Sequence, residues 1–304
     1  MKIKSIAPWF GGKRKLAPEI VRQLGPHTSY FEPFCGSMAV LFEKPPSRAE
    51  TVCDLHGDLV NLARVVQRPD ESARLHDLLD RTLFCDGLLW DAEEVFRLQP
   101  VIEEPEGITR AVDRIQRAYW FFLVSWMGRN GVSGTKRLDY QLAVRWTSGG
   151  GSPTIRWRNA IDSLSAWHRR LTNVVILCRD GFTVLERAAD EPTTVLYVDP
   201  PYHLASRGQQ ADGKKEVKRS ARYLHDWNND EQHERLAGLL RRFQKARVVL
   251  SYYDDPLIRR LYEGWSFIEH TRAKNLAGAN QRDRRRDSVA PELLIINRDP
   301  VEAS

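Results

Sequence analysis

Val195-Leu196-Tyr197-Val198-Asp199-Pro200-Pro201-Tyr202 runs four apolar residues straight into an aspartate and two prolines. The apolar part, rich in β-branched and aromatic side chains, reads as a strand covered on both faces. Pro200 and Pro201 cannot donate to a ladder, so the strand stops and a rigid turn presents Asp199 and Tyr202 at its carboxyl end. Similar short apolar runs lie at 29–34, 51–54, 173–177, 247–252 and 293–297, with 194–198 as the strand just quoted. Helical patterns separate most of them. Asn229-Asp230-Glu231-Gln232 reads as a capping box ahead of Leu236, Leu239, Leu240 and Phe243. This alternation predicts an α/β fold on a largely parallel sheet, with ligands beyond the carboxyl ends of the strands.

Between about 58 and 165 the alternation stops and the pattern turns helical. Ile108, Val112, Ile115, Tyr119, Phe122 and Trp126 step by four and three along one face. A Gly/Ser-rich stretch follows. We therefore divide the chain into a catalytic sheet domain, 1–58 with 166–304, and a mostly helical insertion, 59–165, that ends in a flexible basic segment.

With 42% hydrophobic and 28% charged residues, the 304-residue chain has a globular composition, which excludes a disordered or fibrous protein. Its most apolar run, 119–127, is far shorter than the ~20 residues of a spanning helix, so no membrane partner is expected. The amino terminus lacks the apolar core of a signal peptide. Four cysteines without a CxxC pair suggest neither a zinc site nor a disulfide framework and point to a reducing cytoplasm. His203, His225 and His233 show no metal-ligand spacing, so no metal is expected.

The net charge of +6 is unevenly spread. Residues 129–158 carry +5, 203–228 carry +3 and 270–290 carry +4, which leaves the rest of the chain at −6. Three basic, Gly- or polar-rich stretches on an acidic body suit a polyanion such as a nucleic acid. Solvated loops that happen to be basic are the plainer reading of any one of them.

Two strand ends carry chemistry. Phe31-Glu32-Pro33-Phe34-Cys35-Gly36-Ser37 leads from a strand into a helix, and Asp54 closes the next strand 18 residues after Gly36. Gly36 permits close backbone approach to a ligand, and an acid at that distance suits ribose hydroxyls. The second end is the Asp-Pro-Pro-Tyr turn, a carboxylate and an aromatic ring held for a planar, hydrogen-bonding substrate.

In these motifs the chain resembles the Dam-like, alpha-group DNA adenine-N6 methyltransferases, which use S-adenosylmethionine. Asp199–Tyr202 resembles their catalytic tetrapeptide, Phe31–Ser37 their cofactor loop, and Pro8-Trp9-Phe10-Gly11-Gly12-Lys13 their opening motif. The resemblance implies a Rossmann-like methyltransferase sheet with a target-recognition insertion. It implies catalytic roles for Asp199, Pro200, Pro201 and Tyr202. It implies cofactor contacts from Trp9, Lys13, Phe34, Gly36, Ser37, Asp54, Asp180, Phe182 and Asp199. A helix N-cap is the rival reading of Asp180, and a packed core residue that of Trp9. The family's loop usually has glycine where Met38 stands, so Met38 is expected to narrow the methionine end of the pocket.

The chemistry follows from the residues. An exocyclic adenine amine is a poor nucleophile because its lone pair is delocalised into the ring. Asp199 and the Pro200 carbonyl can each accept one N–H, freeing the lone pair for attack on a sulfonium methyl. Tyr202 is expected to stack on the base, which must leave the duplex to reach it.

Double-stranded DNA is thus the expected partner. Arg129 and Asn130 lie in 128–134, which resembles a family segment near the DNA backbone. Lys136, Arg137, Arg145, Arg156 and Arg158 supply further donors for phosphates or guanine edges. A solvated hairpin with packed tryptophans is the rival reading around Arg145, Arg156 and Arg158. Arg284, Arg285 and Arg286 read as a phosphate-binding loop. Rival functions are a cytosine-N4 or RNA-base methyltransferase, and an inactive DNA-binding relative; Asp at the head of the tetrapeptide favours adenine.

Overall fold

A computed structural model describes residues 3–98, 113–128, 141–144, 151–203, 225–227, 229–273 and 289–302. Seven strands form one sheet: β1 (Ser29–Glu32), β2 (Ala49–Asp54), β3 (Val174–Cys178), β4 (Thr194–Val198), β5 (Arg247–Tyr253), β6 (Ser266–Ala273) and β7 (Val289–Ile296). Their spatial order is β3-β2-β1-β4-β5-β7-β6. The first five run parallel, and β7 is antiparallel to both β5 and β6. This is a mixed α/β, Rossmann-like sheet, largely parallel as the alternation of strands and helices predicts. Strand order reverses between β1 and β4, which pair from Ser29↔Thr194 to Phe31↔Leu196. The crevice beyond their carboxyl ends is where such sheets bind ligands.

β4 is buried at all five positions because helices cover both faces of the sheet. Its side chains alternate between two cores. Val195 and Tyr197 join the larger one, with α1 (Ala17–Leu24), α2 (Ala39–Glu43) and α3 (Gly57–Gln67). Leu196 and Val198 join the other, with α8 (Gly181–Arg187), α9 (Glu231–Leu240) and α10 (Pro256–Leu261).

The helical region contains α3, α4 (Pro69–Asp80), α5 (Asp86–Leu98), α6 (Arg114–Trp126) and α7 (Pro153–Leu171). The positions drawn as boundaries, 58 and 165, fall inside α3 and α7. Both helices are bound to the sheet: from α3, Gln67 donates to the Val174 carbonyl at 2.6 Å and Arg64 to the Ile176 carbonyl, and from α7, Arg170 donates to Glu50 of β2 at 2.8 Å. Buried Arg117 of α6 clamps buried Asp58 of α3 through two hydrogen bonds of 2.6 and 3.1 Å. α6 starts where Asp113 caps it by accepting from the Ile115 amide. Ile108 and Val112 of the expected stripe lie outside the described residues.

Three local expectations need correction. β6 was not anticipated, because Ser266-Phe267-Ile268-Glu269-His270-Thr271-Arg272-Ala273 carries the polar residues of a sheet edge. The capping box is not formed: α9 begins at Glu231, and Asp230 makes no side-chain cap. The Asp230 carboxylate instead meets His203 Nε2 at 2.9 Å. The basic segment does not run as a loop or hairpin to 158. Pro153 opens a 19-residue helix whose Trp157, Ile161 and Leu164 are buried at helical spacing.

Candidate active site

The turn after β1 is shaped by close approach. Gly36 has φ +44°, and a Cβ there would sit 2.8 Å from Trp9 Nε1. Its amide donates to Asp54 Oδ2 at 2.8 Å, while Asp54 Oδ1 accepts from the His56 amide at 2.9 Å. A Cβ on Gly181 would come within 2.6 Å of the Pro33 carbonyl. The start of α8 therefore packs directly on the β1 turn. These segments, with the N-terminal stretch and the start of α9, enclose a cavity of about 280 Å³.

Trp9, Lys13, Phe34, Gly36, Ser37, Asp54, Asp180, Phe182, Asp199, Pro200 and Pro201 all line this cavity. Tyr202 does not. Its ring is 4% exposed, lies between Tyr252 and Tyr253, and carries the Lys13 ammonium 4.8 Å from its centroid. Its hydroxyl donates to Glu292 at 2.8 Å. The ring expected to stack on the base thus stands behind the wall. Asp180 caps α8, accepting from the Phe182 amide at 3.0 Å. Trp9 is half-buried, packed edge-to-face with His56 at a ring-centroid distance of 5.2 Å. Met38 does not narrow the pocket: it is wholly buried in the larger core, and its backbone takes the left-handed conformation at φ 59°.

Lys13 donates to the Gly11 carbonyl at 2.7 Å and meets Asp199 Oδ2 at 2.9 Å. Asp199 Oδ1 is buried and has no hydrogen-bond partner among the described residues. Burial pushes the Asp199 carboxyl up to about 6, against the opposing pull of Lys13. Glu32 also faces the cavity. Burial raises it to about 8, although the Tyr30 hydroxyl donates to it at 2.8 Å.

The motifs did not reveal the far wall. Trp227 stacks on Phe182 at 5.6 Å, Phe34 meets Trp227 edge-on at 5.7 Å, and Arg235 lies 4.1 Å above Phe182. Gln232 Oε1 and His225 Nε2 line the same space, buried and without partners among the described residues. An orphaned amide beside an aromatic cluster suits the edge of a planar heterocycle.

Residues 9–276 match the family described as D12 class N6 adenine-specific DNA methyltransferase. The chain belongs to this family. A protein named type II methyltransferase M1.LlaDCHI, from Lactococcus lactis subsp. cremoris, is 24% identical over 294 residues, covering 92% of this chain and 93% of that one. The reaction is accordingly methylation of DNA at adenine N6, and the cytosine and RNA alternatives fall away. An adenine-N6 methyltransferase needs acceptors for an exocyclic amine, and the cavity holds Asp199 and Pro200 at the end of β4.

Of the enzyme's proposed DNA contacts, Arg156 and Arg158 fall within the described residues, both on α7. Arg129, Asn130, Lys136, Arg137, Arg145, Arg284, Arg285 and Arg286 lie outside the described residues. Arg158 is exposed on α7 and pairs with Asp80 at 2.8 Å. Arg156 is half-buried on the same helix, its Nε without a partner among the described residues. Among the described residues no His, Cys, Asp or Glu group is arranged to hold a metal, and no helix is long and apolar enough to cross a membrane.

Proposed function

We propose that this methyltransferase uses S-adenosylmethionine to modify an adenine turned out of duplex DNA into the cavity beyond β1 and β4. The observation that carries the reading is Asp199 Oδ1, a buried acceptor without a partner among the described residues, at the lip of the sheet. The cavity also fits the cofactor: Gly36 leaves no room for a Cβ, and Asp54 is fixed by two amides beside it. Asp54 would hold the ribose, and Phe34, Phe182 and Trp227 offer aromatic surface for an adenine ring. Bound there, S-adenosylmethionine supplies an electrophilic sulfonium methyl.

Asp199 Oδ1 and the Pro200 carbonyl accept the two amine hydrogens and turn the nitrogen towards tetrahedral geometry. Lys13 holds Oδ2, so the carboxylate presents a fixed acceptor as charge develops. Tyr202 acts through its hydroxyl rather than by stacking. The target amine lies inside an intact duplex, which is why the base must leave the stack. Arg156, Arg158 and the basic stretches would grip phosphates and read bases. The type II relative suggests a modification partner to a restriction enzyme, working in the cytoplasm of a bacterial or phage-infected cell.

The test is Asp199→Ala, assayed by tritium transfer to duplex DNA beside calorimetry with S-adenosylmethionine. Turnover should fall by orders of magnitude while cofactor affinity stays within a few-fold. Turnover close to that of the parent enzyme would overturn the assignment.

A further inference from the structure

We propose that Glu292 is a positioning residue of the methyl-transfer site, acting through Lys13 on Asp199. The inference rests on the reading of Asp199 as the amine acceptor. Glu292 lies on β7, beside Tyr253 of β5 and His270 of β6. The next four residues, Leu293 to Ile296, are fully buried and apolar. An acid here adds nothing to that core. Its Oε1 lies 3.5 Å from Lys13 Nζ and accepts from the Tyr202 hydroxyl at 2.8 Å.

Lys13 thus meets three oxygens: Asp199 Oδ2, Glu292 Oε1 and the Gly11 carbonyl. An ammonium has three N–H directions, and these contacts fix its rotation. The fixed ammonium holds Asp199 Oδ2, which leaves Oδ1 as the acceptor for the amine. Glu292 also ties Tyr202, at the far end of the tetrapeptide, to the same point. The charged and titratable groups facing it are Lys13 from the N-terminal segment, Asp199, Tyr197 and Tyr202 from β4 and its turn, Tyr253 from β5 and His270 from β6. Its negative charge raises the Asp199 carboxyl, so removing it should lower that group.

The experiment compares parent enzyme, Glu292→Gln, Lys13→Met, the double variant and Asp199→Ala. Glu292→Gln keeps the side chain's shape and an acceptor for Tyr202; thermal melting and cofactor calorimetry check each protein. It should lower kcat by about tenfold with cofactor affinity within about threefold, and move the acid limb of the kcat profile to lower pH. In the Lys13→Met background the same change should have little further effect. If Glu292→Gln proves unfolded, Tyr202→Phe, which removes the donor and keeps the charge, should still lower kcat; parent-like kcat in it then overturns the proposal. An unmoved limb with kcat within twofold of the parent, while Asp199→Ala is inactive, overturns this inference alone. An active Asp199→Ala overturns the reading beneath it.

Discussion

The main-chain amide of Gly36 donates to Asp54 Oδ2 at 2.8 Å, tying the exits of two neighbouring parallel strands. Asp54 also accepts from the His56 amide at the head of α3. The carboxylate is a clamp on the cavity rim before it is a ligand for anything else. Asp54→Ala strands both amides and removes the proposed ribose acceptor. We expect S-adenosylmethionine affinity to fall at least about tenfold and stability to drop by about 1–3 kcal/mol. Asp54→Asn keeps an acceptor for one amide and should recover part of the stability but little of the affinity. Calorimetry and urea melts separate the two roles: lost stability with parent-like affinity would leave Asp54 a clamp alone.

Met38 gives a sharper test of backbone against side chain. It is buried in the core at φ 59°, a conformation costing a non-glycine residue about 1–2 kcal/mol. Met38→Gly relieves that cost but empties a buried site, a loss of about 2–5 kcal/mol. The net expectation is a modest destabilisation. Met38→Ala empties the site and keeps the strain, so Ala should be less stable than Gly, the reverse of the usual order. Cofactor affinity should barely change in either, since Met38 is not on the cavity wall. Melts showing Ala above Gly would contradict the backbone argument.

The Arg117–Asp58 clamp joins α6 to α3, and through α3 to the sheet. Arg117 also covers the Phe96 ring, with Cζ 4.3 Å from its centroid. Arg117→Ala leaves Asp58 buried without its cation and should cost about 3–5 kcal/mol. Asp58→Asn in that background should recover a large share. Chemical denaturation of the two singles and the double measures the coupling, and simple additivity would refute it.

The sequence shows what is local and hides what is assembled. β1 to β5 and β7 are apolar runs and were legible as such; β6 was hidden by Glu269, His270 and Arg272 at the sheet edge. Asp199 to Tyr202 announces itself through its prolines. The place of Tyr202 does not, because it depends on Glu292, 90 residues away. Glu292 itself looks like the polar start of a buried strand. Trp227, Gln232 and Arg235 reach the cavity only because α9 begins beside α8, and no spacing within the chain encodes that. α7 was masked by a Gly/Ser stretch and three arginines, although Trp157, Ile161 and Leu164 hold helical spacing. Asp180 left two readings open, and its Oδ1 serves as the cap.

Glu32 makes the stability of the fold depend on pH. Burial raises its carboxyl to about 8, from an ordinary value near 4.5. Between those values the unfolded chain has lost the proton and the folded chain still holds it. Folding therefore binds a proton, and stability falls as pH rises from about 4.5 to about 8, levelling off above. Glu32→Gln carries a neutral amide of the same shape and removes this dependence. We expect the variant to gain on the parent as pH rises, by an amount on the order of a few kcal/mol between pH ~5 and pH ~8.5. Urea unfolding of both proteins at those two values reads the effect as a difference of differences, so other titrating groups common to both cancel. Parallel stability curves would mean that Glu32 ionises in the folded protein much as it does in the unfolded chain.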